Sequence, residues 1–456
     1  MGLDIALTGK FKQSGAANRQ VLEDLAARLP DVCDNLSPDF IDLMETDEGD
    51  AVFIALHPAA DAAVISIPER GRLECVARTN SCGPGYHQFV VELFDRAAEL
   101  LNVTWDRTDC EDDTEYFFKR DRKALEDSML NWLSQCSRML LESVTDESNT
   151  LAMCYALSNS IPHLPGKIIT PYGPRTFDWL RSVAADPSLG RDFFPWWEPG
   201  YNARTMLGIA RCLMWDSVRW AVPAQAASYS ALVHTHELLA QAYRLDPTLA
   251  YPWAEWHEII TLIRACEDNS DYRVDSALAE RVAAHAAKAQ PPSIGYLRGN
   301  VTHRFIPGWT FDTPGAFEPV TMNHDNDEDD DEDSSPGFCL AMSDRVLNFG
   351  LYEVEDDHRG DPQASAGRFH QSSARHLGQW QLNGCVVSAT GWEAPTDDGD
   401  TLMQVDIVAV GPDQILTIHA FMPPDAPVDW TLDIARSISH DPDAASADDD
   451  EDASDD

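Results

Sequence analysis

Seven consecutive carboxylates, Asp327 to Asp333, follow directly on Asn323-His324-Asp325-Asn326 and constrain this chain more than any other feature. A packed core cannot take them, because each would shed its water without gaining a partner. The run is therefore expected to be a solvated spacer that splits the chain. It alternates Asp and Asn at its start like a calcium loop, but has neither the glycine at the sixth position nor the glutamate at the twelfth that such a loop needs. Mutual repulsion would hold it extended.

With 456 residues the chain exceeds one ordinary core, and two to four domains are expected. A hydrophobic content of 44% and 13 tryptophans supply enough material to bury. The net charge is -44, and the stretches 325–333 and 441–456 carry 17 of the carboxylates, leaving -27 on the remainder. The folded parts are thus acidic in their own right. That argues against nucleic acid and against an anionic membrane surface, and toward a basic protein partner.

The N-terminus, Met1-Gly2-Leu3-Asp4-Ile5, has no basic-then-apolar leader. Ala6 replaces the Ser or Thr of an acylation signal, and no window nears 18 apolar residues. Ten cysteines are scattered with no C-x-x-C pair, as in a reducing cytoplasm. Cytoplasmic location and no cofactor are the expectations.

Periodicity divides the chain into five parts. Residues 1–115 give a strand at Ile5 to Leu7 and a helix from Ala17 to Leu29. Short strands follow at Phe40 to Met44, Ala51 to Leu56, Ala63 to Ile67 and Leu73 to Arg78, then a helix from Gln88 to Leu101. Tight turns between the strands predict an antiparallel sheet with helices on one face, an α+β domain. Residues 116–322 are mainly helical, over Asp121 to Val144, Ala203 to Trp220, Ala224 to Leu245, Pro252 to Cys266 and Asp275 to Ala289, with prolines in the gaps. Residues 291–324 read as irregular. After the acidic linker, 323–337, residues 338–440 offer strands at Leu347 to Val354, Trp380 to Ala389, Leu402 to Val410 and Ile415 to Ala420. Helices are expected at His370 to Leu377 and Asp429 to Ile438, and the turns at Asp397-Asp398-Gly399-Asp400 and Gly411-Pro412-Asp413 favour antiparallel pairing. Residues 441–456 form an acidic tail. The fold class is α+β multidomain: an N-terminal antiparallel sheet with helices, a helical centre and a small C-terminal α/β sandwich.

Two local resemblances add to this. Ala242-x-x-Leu245-Asp246-Pro247, followed by Trp253, Trp256 and Ile260, resembles the boundary between two tetratricopeptide repeats. The resemblance implies a small residue packing one helix, a proline stopping it and an aromatic opening the next. One period on, Asn269 and Ser276 do not continue the pattern, so a single repeat-like pair over 242–260 is implied. The ending Asp-Trp-Thr-Leu-Asp-Ile-Ala-Arg-Ser-Ile is similar to the last helix of PsbP-like domains, implying a small α/β sandwich and no particular site.

Thr79-Asn80-Ser81-Cys82-Gly83-Pro84-Gly85-Tyr86-His87 lies between a strand and a helix. Glycines at a helix start can turn amides toward an anion, and Ser81 or Cys82 with His87 would supply a nucleophile and its base. No Gly-Lys-Thr/Ser or G-x-S-x-G accompanies them. Turn geometry alone also explains these glycines. His234 and His236 point about 200° apart on a helix, so no metal site is expected. The aromatic run Asp192 to Tyr201 offers Trp196, Trp197 and Tyr201 as binding residues, and the helical pair adds Trp253 and Trp256. The reading is a non-enzymatic protein-binding module, such as a bacterial immunity or adaptor protein for a basic partner. The alternative is a hydrolase or transferase acting at Ser81 to His87.

Overall fold

A computed structural model describes residues 2–12, 19–33, 40–46, 49–68, 72–157, 159–320, 338–354, 369, 371, 373–382, 384–396 and 399–441. The acidic linker, all of the acidic tail beyond Asp441, His370, Ser372 and the first half of the Asp397–Asp400 turn lie outside those residues.

Strand β1 (Asp4–Phe11), helix α1 (Arg19–Val32), and strands β2 (Ile41–Thr46), β3 (Gly49–Ile54), β4 (Ala63–Ser66) and β5 (Arg72–Arg78) open the fold. Helix α2 (Pro84–Leu100), strands β6 (Val103–Trp105) and β7 (Glu111–Asp112), the short α3 (Tyr116–Lys119) and the long α4 (Arg122–Ser143) follow. The strands form an antiparallel sheet of order β2-β3-β4-β5-β1-β6, with β7 also on β1. Alternation decides the buried face: Leu73, Cys75 and Ala77 are inside, while Val76 is 49% exposed. Leu22, Leu25 and Leu29 of α1 and Val90, Leu93, Phe94 and Ala97 of α2 fill the covered face. The N-terminal sheet with helices is therefore as the sequence implies. The first core extends along the chain, taking Leu125, Met129 and Leu133 from α4 and ending with Phe193, Phe194 and Trp196.

Short strands β8 (Leu151–Ala152), β9 (Ser160–Pro162), β10 (Lys167–Ile169) and β11 (Arg175–Thr176) precede helix α5 (Phe177–Ala185). A second core is helical: α6 (Ala203–Asp216), α7 (Ala226–Leu245), α8 (Trp253–Ala265) and α9 (Ser276–Ala286). Side chains mark the starts, with Thr176 accepting from the Trp179 amide at 3.1 Å and Asp275 from Leu278 at 2.9 Å. Helix α6 stops at Asp216, not Trp220; Trp220 itself has φ +59°, outside the helical range. Between α7 and α8 the chain breaks at Asp246-Pro247, and Ala242 is fully buried.

Residues 291–324, expected to be irregular, hold strands β12 (Asn300–Ile306), β13 (Trp309–Pro314) and β14 (Glu318–Val320). Pro307-Gly308 is the hairpin turn between the first two, Gly308 taking φ +75°. A third core then forms on β15 (Phe338–Met342), β16 (Arg345–Glu353), β17 (Arg375–Leu382), β18 (Cys385–Pro395), β19 (Thr401–Val410) and β20 (Gln414–Met422), with helix α10 (Asp429–Ser437) and β21 (Ser439–His440). The sheet is antiparallel throughout, in order β14-β15-β16-β20-β19-β18-β17. Two sequence expectations are corrected here. Trp380 to Ala389 is not one strand but the two arms of a hairpin, reversed at Gly384 with φ +74°. Arg375 to Leu377, expected in a helix, lie in β17. Ile434 and Ala435 of α10 close the core together with Trp309, Phe311 and Phe317 from before the acidic run. The whole is a multidomain α+β chain.

Candidate functional site

The glycine-rich turn and the aromatic run meet. The Gly85 amide donates to the Trp196 carbonyl at 3.0 Å, and the Trp196 amide donates to the Cys82 carbonyl at 3.0 Å. A Cβ on Gly85 would lie 2.2 Å from the Glu198 carbonyl oxygen; one on Gly83 would lie 2.7 Å from Phe194 Cβ. Gly83 also takes φ +107°. The glycines are thus there to let the aromatic segment press against the start of α2. The amides of Cys82 and Gly83 turn back to the Thr79 carbonyl, and that of His87 to Gly83. An anion would have to compete for these amides with bonds already made.

His87 is fully buried. Thr79 Oγ1 lies 2.8 Å from its Nδ1 and Thr114 Oγ1 lies 3.1 Å from its Nε2. Asp112 Oδ2 stands 3.5 Å from Nε2, and Asp112 accepts from Thr114 and from the Phe117 amide. Burial alone would raise the Asp112 carboxyl, yet the His87, Phe117 and Thr114 donors outweigh it and bring it down to about 2. Both ring nitrogens of His87 are therefore engaged away from Ser81 and Cys82. The Cys82 thiol has no exposure and burial pushes it well up, while the Ser81 hydroxyl donates to its sulfur at 3.9 Å. A thiol held protonated is a poor nucleophile.

The aromatic candidates divide. Trp196, 1% exposed, packs against Tyr86 at 5.5 Å, Phe89 at 5.2 Å and Tyr201 at 5.6 Å between ring centres. Trp256 is wholly buried and donates its Nε1 hydrogen to His236 Nδ1 at 3.0 Å, which gives that histidine a packing role. Trp253 stacks on His285 at 4.2 Å and on Trp256 at 5.6 Å. Tyr201 is half-buried against Phe89 at 6.4 Å.

Trp197, also half-buried, borders a cavity of about 270 Å³ together with Tyr172, Arg191, Arg204, Arg211 and Ala250. The Arg191 guanidinium lies 5.1 Å over the Trp197 ring and pairs with Glu198 at 2.7 Å. Arg211 donates to the Tyr172 hydroxyl at 3.2 Å and to the Ala250 carbonyl at 2.6 Å. Asn202 caps α6, its Oδ1 accepting from the Arg204 and Thr205 amides at 2.9 and 3.4 Å. The sequence reading missed Arg204 and Arg211. Their seven-residue spacing, two turns along one helix face, was the available signal. Among the described residues, no group of three His, Cys, Asp or Glu is placed to hold a metal ion, and no helix is long and apolar enough to cross a membrane.

No protein-family model matches this chain, and no curated protein matches it either. Among solved structures it is similar to the solution structure of cyanobacterial PsbP (CyanoP) from Synechocystis sp. PCC 6803. That likeness has 14% identity and a TM-score of 0.25, over 34% of this chain and 98% of that one.

Proposed function

We propose that this chain is a non-enzymatic binding protein whose partner is a basic protein. One observation carries the reading. Aspartate and glutamate number 77 against 33 lysines and arginines, so even with every cation matched, 44 carboxylates would have no cation of their own. Many of the cations are matched already, as in Lys10 with Asp106, Arg120 with Asp95 at 2.7 Å and Arg298 with Glu258 at 2.7 Å. A surface of this kind speeds the approach of a cationic partner and repels nucleic acid and anionic lipid. The sealed surroundings of His87 and Cys82 favour binding over catalysis. The helical pair α7–α8 is the surface this reading assigns to the partner, through residues other than the buried Trp256, and an immunity or adaptor protein of a bacterial cytoplasm is the form this reading takes.

Affinity capture with the purified chain from its native source is the test. A stoichiometric partner of high isoelectric point is expected at low salt, released near 1 M salt, where the screening length falls to about 3 Å. Recovery of the chain alone at low ionic strength overturns the proposal.

A further inference from the structure

Within a chain of net charge -44, three guanidinium groups surround one cavity. Arg191, Arg204 and Arg211 outnumber Glu198, the carboxylate beside them. This is a cationic focus in which Arg191 and Arg204 are exposed and Arg211 is half-buried, and Arg204 and Arg211 are held at a cost. Arg204 occupies the first turn of α6, where the helix dipole already places positive charge and a cation is disfavoured. Its guanidinium makes no hydrogen bond or ion pair among the described residues, although its field reaches Asp246 and helps hold that carboxyl below its usual range, behind the Thr248 hydrogen bonds. Arg211 is fixed by Tyr172 and Ala250, so its charge cannot swing away into solvent, and its Nε is buried without a hydrogen-bond partner. A cation at a helix start and a buried guanidinium Nε without a partner, gathered at one cavity, mark a site that a ligand completes.

We infer that this cavity binds a small organic anion carrying a phosphate or carboxylate beside a flat apolar part. The first-turn amides Arg204 and Thr205 are capped by Asn202, so recognition falls to side chains: two or three guanidinium forks for the anionic group. Trp197, already facing the Arg191 guanidinium, and Leu207 supply the apolar wall. A volume of about 270 Å³ admits a single-ring molecule. Anion binding here does not depend on a basic partner, and its failure would leave the basic-partner proposal standing.

The test is isothermal titration of the full chain with phenyl phosphate and with benzoate. Saturable binding of at least one is expected, weakening as salt rises. Arg204→Gln removes a charge that makes no hydrogen bond or ion pair among the described residues and acts on Asp246 through its field alone, so its unliganded melting temperature should change little while affinity drops about tenfold. Arg191→Gln should weaken binding as well. No saturable binding of either compound, or an affinity unchanged in Arg204→Gln, overturns the inference. Preference for phenyl phosphate assigns the site to phosphate esters and preference for benzoate to carboxylates; both outcomes support it.

Discussion

Gly85 and Trp196 are joined by a backbone bond of 3.0 Å across 111 residues of sequence, and Trp196 returns one to Cys82 at the same distance. The glycine-rich turn is therefore one half of a junction. Its other half is the aromatic run that ends the first core and begins the wall of the arginine-lined cavity. A turn that resembles an anion cradle in sequence is, in the fold, a seat shaped to receive Phe194 and Trp196.

That seat predicts a large penalty for one methyl group. In an open helix, Gly to Ala gains about 1 kcal/mol. At Gly85 the new Cβ would lie 2.2 Å from the Glu198 carbonyl oxygen and 2.6 Å from Trp196 Cδ1, so the junction must part. Gly85→Ala should destabilise the first core by about 3 kcal/mol or more. Gly299→Ala, with nothing within 4 Å of the new carbon, should stay within about 0.5 kcal/mol. Urea melts followed by tryptophan fluorescence compare the two. Equal stabilities would refute the account of the junction.

What the sequence made visible followed from short-range rules. Alternation and tight turns located β2 to β5, and apolar spacing located α2 and α6 to α9 to within a few residues. It failed where one residue carried the turn. Gly384 interrupts an apolar run that otherwise reads as a single strand, and Pro307-Gly308 looked like a break when it was a hairpin. Long-range contacts had no local trace. Ser81, Cys82 and His87 lie within one seven-residue stretch, yet His87 bonds Thr79 and Thr114. Of the aromatic candidates, Trp196 and Trp197 both border the arginine cavity, Trp196 with only 1% of its surface exposed, while Trp256 serves packing.

Acid should weaken all three cores. Burial lowers His57 to about 3; burial, then Arg244, lowers His236 to about 4; burial, then Arg219, lowers His303 to about 4. Each lies below the ordinary value of 6.5, so between about pH 6.5 and 4 the unfolded chain binds protons that the folded chain refuses. Stability is complete above pH 6.5 and falls as pH drops through that window, by up to about 3 kcal/mol per histidine. His57 lies against Trp196 of the first core, His236 against Trp256 of the second, and His303 against Phe311 of the third. Calorimetry at pH 7.5 and 4.5 should show every transition shifted downward. His236→Asn, which keeps an acceptor for Trp256, should remove the shift from the helical region alone; a shift of unchanged size there would count against the argument.

Glu318, 4% exposed, couples the second core to the third. Its Oε1 accepts from the Ala224 amide at 3.1 Å and its Oε2 from the Ser228 hydroxyl at 2.7 Å, ahead of and within α7. Its own strand, β14, pairs with β15 of the C-terminal sheet. Arg219 reinforces the join by donating to the Gly315 carbonyl at 3.1 Å and to that of Phe317. Truncating Glu318 to Ala would leave a part-buried amide and hydroxyl without their acceptor and take a countercharge from Arg219, whose own charge burial disfavours. A loss of about 2–4 kcal/mol follows from the unpaired groups. Glu318→Gln, which keeps one acceptor oxygen, should lose less. The discriminating readout is the calorimetric profile together with hydrogen exchange at the Ala224 amide. In Glu318→Ala the helical and C-terminal transitions should separate and that amide should exchange faster. A profile and exchange rate equal to those of the parent would show that the join is held elsewhere.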